Sequence, residues 1–414
     1  MMKASSLLSR WTLPLLIQTV SLGTLSLHAG GATITLEGGD QGREAGLVSF
    51  HAPDATKGIT QLITTDGKVL PLQKSTDGKN WNLITPAIPP GARLVAETAE
   101  GKSAATAGAI QVAKSGGALQ FQTGKQPFFT YQMEASKVPP GTSADFSHGA
   151  YLHPVYSPSG KRVTGDYRPD HPHQRGIFMA WTKTEFEGRH PDFWNMGKGK
   201  DGKLTGEVRF GQLDSEWSGP VHGGFTSTHR WLDHTSGAEK EVLQENWSVT
   251  GYTVQIGGTP AYILDLVSTQ TCVGQEPLKL PKYHYGGLGV RGPEQWDPVD
   301  KVTMLTSTGA DRIKGDGTKA SWVWLGGEVD GTLTGTAVLM HPDNFRFPQP
   351  LRLNPKNPQL CIAPSAEGDW SIEPGKPLVL RYRFVIRDGK PDAALLGRLL
   401  HDYANPAKVS VAPN

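Results

Sequence analysis

The densest concentration of chemistry in this sequence is Tyr167-Arg168-Pro169-Asp170-His171-Pro172-His173-Gln174-Arg175-Gly176. Two imidazoles that can titrate near neutral pH stand beside a permanently charged guanidinium, a combination able to serve an anion, an array of sugar hydroxyls or a metal ion. Proline steers the residue before it away from helical backbone, so His171 is expected to be extended. In an extended segment residues two apart face the same way, and the expectation is that His171, His173 and Arg175 project together. The plain alternative is a hydrogen-bonded surface turn.

A second cluster, Tyr283-His284-Tyr285-Gly286-Gly287-Leu288-Gly289-Val290-Arg291-Gly292, combines ring faces and donors with glycines that allow close backbone approach. It lacks the Lys-Ser/Thr pair and following helix of a phosphate-binding loop, and a strand irregularity is the alternative reading. A third, Met340-His341-Pro342-Asp343-Asn344, ends a strand and puts His341 at a sheet rim. Trp181, Trp194 and Trp296 neighbour these clusters and could offer flat faces to pyranose rings.

These residues are consistent with an enzyme that hydrolyses, eliminates or epimerises a saccharide. His171 or His173 would do acid/base work with His284 as partner. Arg175 and Arg291 would hold hydroxyls or carboxylates, Trp194 and Tyr285 would stack, His341 would line the rim, and Glu294 or Asp170 would supply a carboxylate. The expected partner is a small saccharide or a polysaccharide fragment. A metal-dependent enzyme is the alternative, with His171, His173 and either His284 or His341 as nitrogen ligands to a divalent ion. A non-catalytic sugar-binding protein is the third reading.

The elements that must position these groups read as β throughout. Glycine (50) and proline (31) make up almost a fifth of the 414 residues, which favours turns and short strands. From Thr33 to about Val112, seven short apolar runs alternate with turn signals such as Asp66-Gly67 and Pro89-Pro90-Gly91, the density of a small immunoglobulin-like sandwich. Ala113-Lys114-Ser115-Gly116-Gly117 reads as a linker. Beyond it, longer strands such as Pro377–Asp388 alternate cleanly, with Leu378, Leu380, Tyr382, Phe384 and Ile386 on one face and Arg381, Arg383 and Arg387 on the other. The spacing of Leu395, Leu396, Leu399 and Leu400 predicts one helix, Asp392–Tyr403. The expected organisation is therefore a leader (1–32), an immunoglobulin-like accessory domain (33–113) and a large antiparallel β-supersandwich (118–404) with one C-terminal helix, carrying the site.

The leader expectation rests on Lys3 and Arg10 ahead of an apolar, Ser/Thr-interrupted stretch, Trp11 to Leu27, and small residues at Ala29 and Ala32. A membrane anchor is the alternative, but the stretch is short and polar for a span of ~20 apolar residues. The chain is thus expected to be exported, periplasmic or extracellular, with no stable membrane span after cleavage. A net charge of +2 without any long Lys/Arg run argues against nucleic acid as a partner. Cys272 and Cys361 could pair in an oxidising compartment or stay as buried thiols.

Asp170-His171-Pro172-His173-Gln174-Arg175-Gly176, Asp192-Phe193-Trp194, Tyr285 to Arg291 and His341-Pro342-Asp343-Asn344 resemble the motifs of the PmoA-like family, over about Leu119 to Asp388. Gln174 stands where that family often has a further His. The methane-oxygenase label attached to the family does not suit this chain, because a particulate methane monooxygenase subunit crosses the membrane several times and this sequence has no second apolar span. The arrangement is more weakly similar to galactose-mutarotase-like supersandwiches, which implies histidines and a carboxylate on one broad sheet.

Overall fold

The computed structural model describes residues 31–51, 58–101, 108–196 and 202–413. Almost all of the expected leader, residues 1–32, lies outside the described residues. Among the described residues every strand pairing is antiparallel, and the fold is all-β with one α-helix near the C-terminus.

The N-terminal sandwich packs a five-stranded sheet against a three-stranded one around Ile34, Leu36, Leu62, Trp81 and Leu83. Its five-stranded sheet is completed from the far end of the chain: Val409–Pro413 pairs with Ala32–Glu37. The seventh predicted strand does not belong here. Ile110–Ser115 pairs with Ala118–Thr123 as the edge of the large sheet, so the expected linker is the end of a strand and its hairpin turn. Gly116 and Gly117 both take positive φ there (52° and 78°), which explains glycines at a tight turn rather than in a flexible tether.

The large sandwich faces a nine-stranded sheet with an eight-stranded one. In the eight-stranded sheet, Leu378–Asp388 lies between Thr259–Cys272 and Thr332–Met340 and alternates as predicted, burying Leu380, Tyr382, Phe384 and Ile386. Its other face is covered as well. The helix Ala393–Ala404, whose first turn is capped by the Asp392 carboxylate accepting from Leu395 N at 3.0 Å, lays Leu395, Leu396 and Leu399 against Tyr252, Trp324 and Val385. Ala45, Leu47 and Ile84 of the N-terminal sandwich join that same cluster. The eight-stranded sheet is therefore shielded on its back, and the outer face of the nine-stranded sheet is left to carry a site.

Pleating decides which residues reach that face. Tyr131, whose hydroxyl contacts the opposite sheet, stands directly across from Leu152, then Ile177, Val290 and Leu360 on successive strands, so these point inward. Their neighbours Tyr151, Phe178, Gly289, Arg291, Gln359 and Cys361 point outward. Among the described residues no helix is long and apolar enough to cross a membrane.

Candidate functional site

The segment preceding the strand Ile177–Ala180 is not extended. It is two consecutive β-turns, closed by His171 N to Arg168 O (3.0 Å) and Gln174 N to His171 O (3.0 Å). Pro169 and Pro172 each occupy the second position of a turn, where the ring's fixed φ is favoured. That signal was available in the sequence, and it overrides the alternation expected for His171, His173 and Arg175. The turns bring the two imidazoles together, with ring centroids 5.5 Å apart, while Arg175 goes into the protein.

Arg175 is fully buried and saturated. It pairs with Asp166, donates to Phe146 O (2.8 Å), Ser136 Oγ (2.9 Å) and the Tyr151 hydroxyl, and lies 3.5 Å from the centre of the Tyr167 ring. Tyr167 adopts a left-handed φ of 46° to place that ring. A guanidinium so enclosed holds the loop and has nothing left for a ligand. Gly176 follows because no side chain fits: a Cβ there would lie 2.1 Å from Leu152 O.

Arg291, the last residue of the strand Gly287–Arg291, is also fully buried. It donates to both oxygens of Asp170 (3.2 and 3.0 Å), to Gln174 Oε1 (3.0 Å) and to Asp297 (2.9 Å). Arg168 joins the same network through Asp297 and Glu294 (2.9 Å to the latter). Burial opposes the charged form of Asp170, but the His171 contact, the Arg291 guanidinium and the Asn357 amide outweigh it and hold this carboxyl well below the usual range. His171 Nδ1 lies 2.9 Å from Asp170 Oδ2, with its side chain still half-exposed.

His173 is pushed down to about 4, first by burial and then by its neighbours His171, His148 and Arg291, beside which a further positive charge is unfavourable. His148, also down to about 4 through burial and Arg175, lines with His173 and Trp194 a small pocket that includes Phe178, Phe193 and Met196. Both imidazoles are therefore neutral at physiological pH. His148, Asp166, Asn357 and Asp297 had no distinguishing sequence signal; only the fold brings them to the His171 turn.

The other predicted site residues do not converge here. His284, exposed, and Tyr285 lie at the opposite end of Gly287–Arg291, which at about 3.3 Å per residue is roughly 13 Å from Arg291. Burial and the nearby Arg352 lower the His284 pKa. Trp194 is core rather than an open face, packed on Phe178 (4.6 Å) and Tyr285 (5.7 Å) and held over Gly289. His341 belongs to the opposite sheet, edge-on to Tyr403 of the helix. Glu294 reaches the site through Arg168. Among the described residues no three His, Cys, Asp or Glu side chains are grouped to hold a metal ion, and the expected metal set is dispersed. Cys272 and Cys361 are separate buried thiols, with burial pushing Cys361 up to about 12.

A further polar cluster is sealed between the sheets. His229 contacts Ser227 (3.1 Å), Tyr131 (2.8 Å) and Glu245 (3.3 Å), and Glu245 also accepts from Trp231 (3.2 Å), Gln270 (3.1 Å) and Ser268. The order Ser–His–Glu resembles a nucleophile relay, but every member is fully buried, so it serves the core.

Residues 118–401 match the model of a family of unknown function, DUF6807. The chain belongs to this family. That finding corrects the PmoA-like assignment, since the matching model is that of DUF6807 and not of a PmoA-like family. The His171 turn, Arg291 and the sealed His229 cluster all lie within the DUF6807 region. No curated protein matches the chain. Among solved structures, an alpha-mannosidase from Enterococcus faecalis V583 aligns at 10% identity and a TM-score of 0.38, covering 92% of this chain and 46% of that one. A glycosyl hydrolase family 38 protein from Enterococcus faecalis aligns at 10% identity and 0.37, covering 93% and 48%. The chain spans about half the length of either.

Proposed function

We propose that this DUF6807 protein acts on a saccharide by acid/base chemistry centred on His171. The observation that supports this reading is the Asp170–His171 contact of 2.9 Å. An ionised carboxylate can only accept, so the shared proton sits on Nδ1 and the Nε2 lone pair is left to take a proton from a ligand hydroxyl or a water. Arg291 and Asn357 hold the carboxylate in place (Asn357 Nδ2 at 2.8 Å). Neutral His173 beside it is a second group able to exchange a proton, and hydrolysis, elimination and epimerisation all need such transfers.

The choice of a hydroxyl-rich ligand rests on charge. Arg168, Arg175 and Arg291 are each committed to carboxylates, so a phosphate or carboxylate ligand would have to displace an existing pair. Hydroxyls donate and accept, which suits the exposed Asp170 and Glu294 carboxylates alongside the imidazoles. The test is turnover on a panel of oligosaccharides. His171→Ala is expected to lower it by on the order of 100-fold or more with little change in melting temperature. Wild-type turnover in that variant would overturn the reading.

We also infer that the protein works after export. The charged start and the apolar stretch Trp11 to Leu27 support this, and the mature chain is expected to begin near Gly30 or Thr33. Intact mass of secreted protein checks it; a membrane-bound form retaining Met1 to Leu27 would contradict it.

A further inference from the structure

The geometry points to a second saccharide-binding surface, built by Tyr283, His284, Tyr285, Phe345 and Trp370 at the other end of the strand that carries Arg291. It rests on the saccharide reading above but uses none of its acid/base residues. Two aromatic groups meet at one turn: Tyr283 N donates to Ser365 O (3.1 Å), and Trp370 Nε1 donates to Ser365 Oγ (2.9 Å). On one side the rings of Tyr283, His284 and Tyr285 stand 4.6 to 4.8 Å apart; on the other, Phe345 and Trp370 are 4.8 Å apart.

The outer rings of this group reach water and the inner ones, Tyr285 and Trp370, pack against the core. His284 is exposed, Phe345 is 36% exposed, and Tyr283, Tyr285 and Trp370 are half-buried. Asn195 Nδ2 anchors the Tyr285 hydroxyl at 3.0 Å. Arg346 takes a left-handed φ of 63°, donates to Pro364 O (2.6 Å), Gly368 O (2.9 Å) and Asp369 O (3.2 Å), and lies 4.8 Å from the Phe345 ring centre. An aromatic group held rigidly at the surface loses little freedom when something stacks on it.

The chemistry of the patch suits a sugar. Apolar ring faces alternate with polar edges: the Tyr283 hydroxyl, the His284 ring, and the exposed Lys282 ammonium, which forms no ion pair among the described residues. A pyranose presents the complement, a face of C–H groups for the electron-rich ring and a rim of hydroxyls for the donors. The strand Gly287–Arg291 that joins the two surfaces is roughly 13 Å long, so a ligand that reaches both is an oligosaccharide or longer chain rather than a single sugar.

Affinity electrophoresis tests this, with the full chain run in native gels containing xyloglucan, arabinoxylan, galactomannan or polygalacturonate. Wild type is expected to be retarded in at least one gel, and the double variant Phe345→Ala/His284→Ala, altering two exposed side chains, to bind roughly tenfold more weakly. Trp370→Ala, with its melting temperature measured, is expected to act in the same direction. No retardation in any gel, equal retardation of the variants, or a change of oligomeric state in place of a change in retardation overturns the proposal. His171→Ala separates the two readings: it should keep most of the retardation that the stacking variants lose, and wild-type turnover in it would remove the acid/base reading while leaving the stacking surface to stand on its own variants.

Discussion

Asp170 and Arg291 show how single side chains divide the labour at the candidate site. Arg291 is sealed, whereas Asp170 and His171 reach solvent, so the guanidinium acts as a fixed base plate for a carboxylate that orients an imidazole. Removing the plate leaves Asp170 without its guanidinium and Asp297 with Arg168 alone. Breaking a fully buried pair costs ~3–5 kcal/mol, but both carboxylates touch water, and Arg291→Leu is expected to cost about 2 kcal/mol, measured by chemical denaturation. Asp170→Asn should do something different: an amide can donate to Nδ1 and release the proton to Nε2, so turnover falls on the order of 100-fold or more while the fold persists. A kcat effect without a matching loss of ligand binding is the expected signature.

At the scale of elements, the double turn Arg168–Gln174 sets the geometry of both imidazoles, and two prolines preset it. Pro172→Ala relaxes the unfolded chain as well as the turn, an entropic cost of about 0.4–1 kcal/mol. The expected outcome is a small drop in melting temperature with a larger drop in turnover, because the 5.5 Å spacing of the rings depends on the turn. The sealed cluster on the strands Gly223–Asp233 and Lys240–Ile256 predicts the reverse. Glu245→Ala strands His229, Trp231 and Gln270 without their shared acceptor in a dry interior, and is expected to cost about 3–5 kcal/mol, with loss of folding rather than selective loss of activity. Circular dichroism with thermal melting distinguishes the two outcomes.

Across the whole molecule, the N-terminal sandwich is fastened to the large one. Ala45, Leu47 and Ile84 share the apolar cluster with the helix, the Arg43 and Glu44 loop pairs with Asp402 and Arg398, and Gln73 and Asn82 grip His222. The chain's last strand adds to the first. A fragment starting at Ala118 would expose that cluster and lose the edge strand Ile110–Ser115, and is expected to melt well below the full chain or to aggregate. Acid should destabilise the protein for a related reason. His148, His153, His173 and His222 are all pushed down to about 4 by burial. The unfolded chain binds protons at these residues once pH falls below about 6.5, while the folded chain does not until about 4. Unfolded exceeds folded protonation in that window, so stability is complete above it and declines steeply as pH drops from about 6.5 towards 4, which a series of melts across pH would show.

The sequence by itself determined the strand periodicity, the all-β class, the helix predicted over Asp392–Tyr403, and the chemical richness of the Asp170 to Gly176 segment, because alternation, helical spacing and composition are local properties. The tertiary structure alone decided which of those groups meet. Arg291 lies 121 residues from Asp170 yet donates to it, Asn357 arrives from 187 residues away, and His284 and His341 are carried off to another strand end and another sheet. It also decided that Ile110–Ser115 joins the large sheet and that the final strand completes the first sandwich. Strand order, the face assigned by pleating and the burial of a guanidinium are set by long-range pairing and packing. None of these leaves a periodicity in the local sequence.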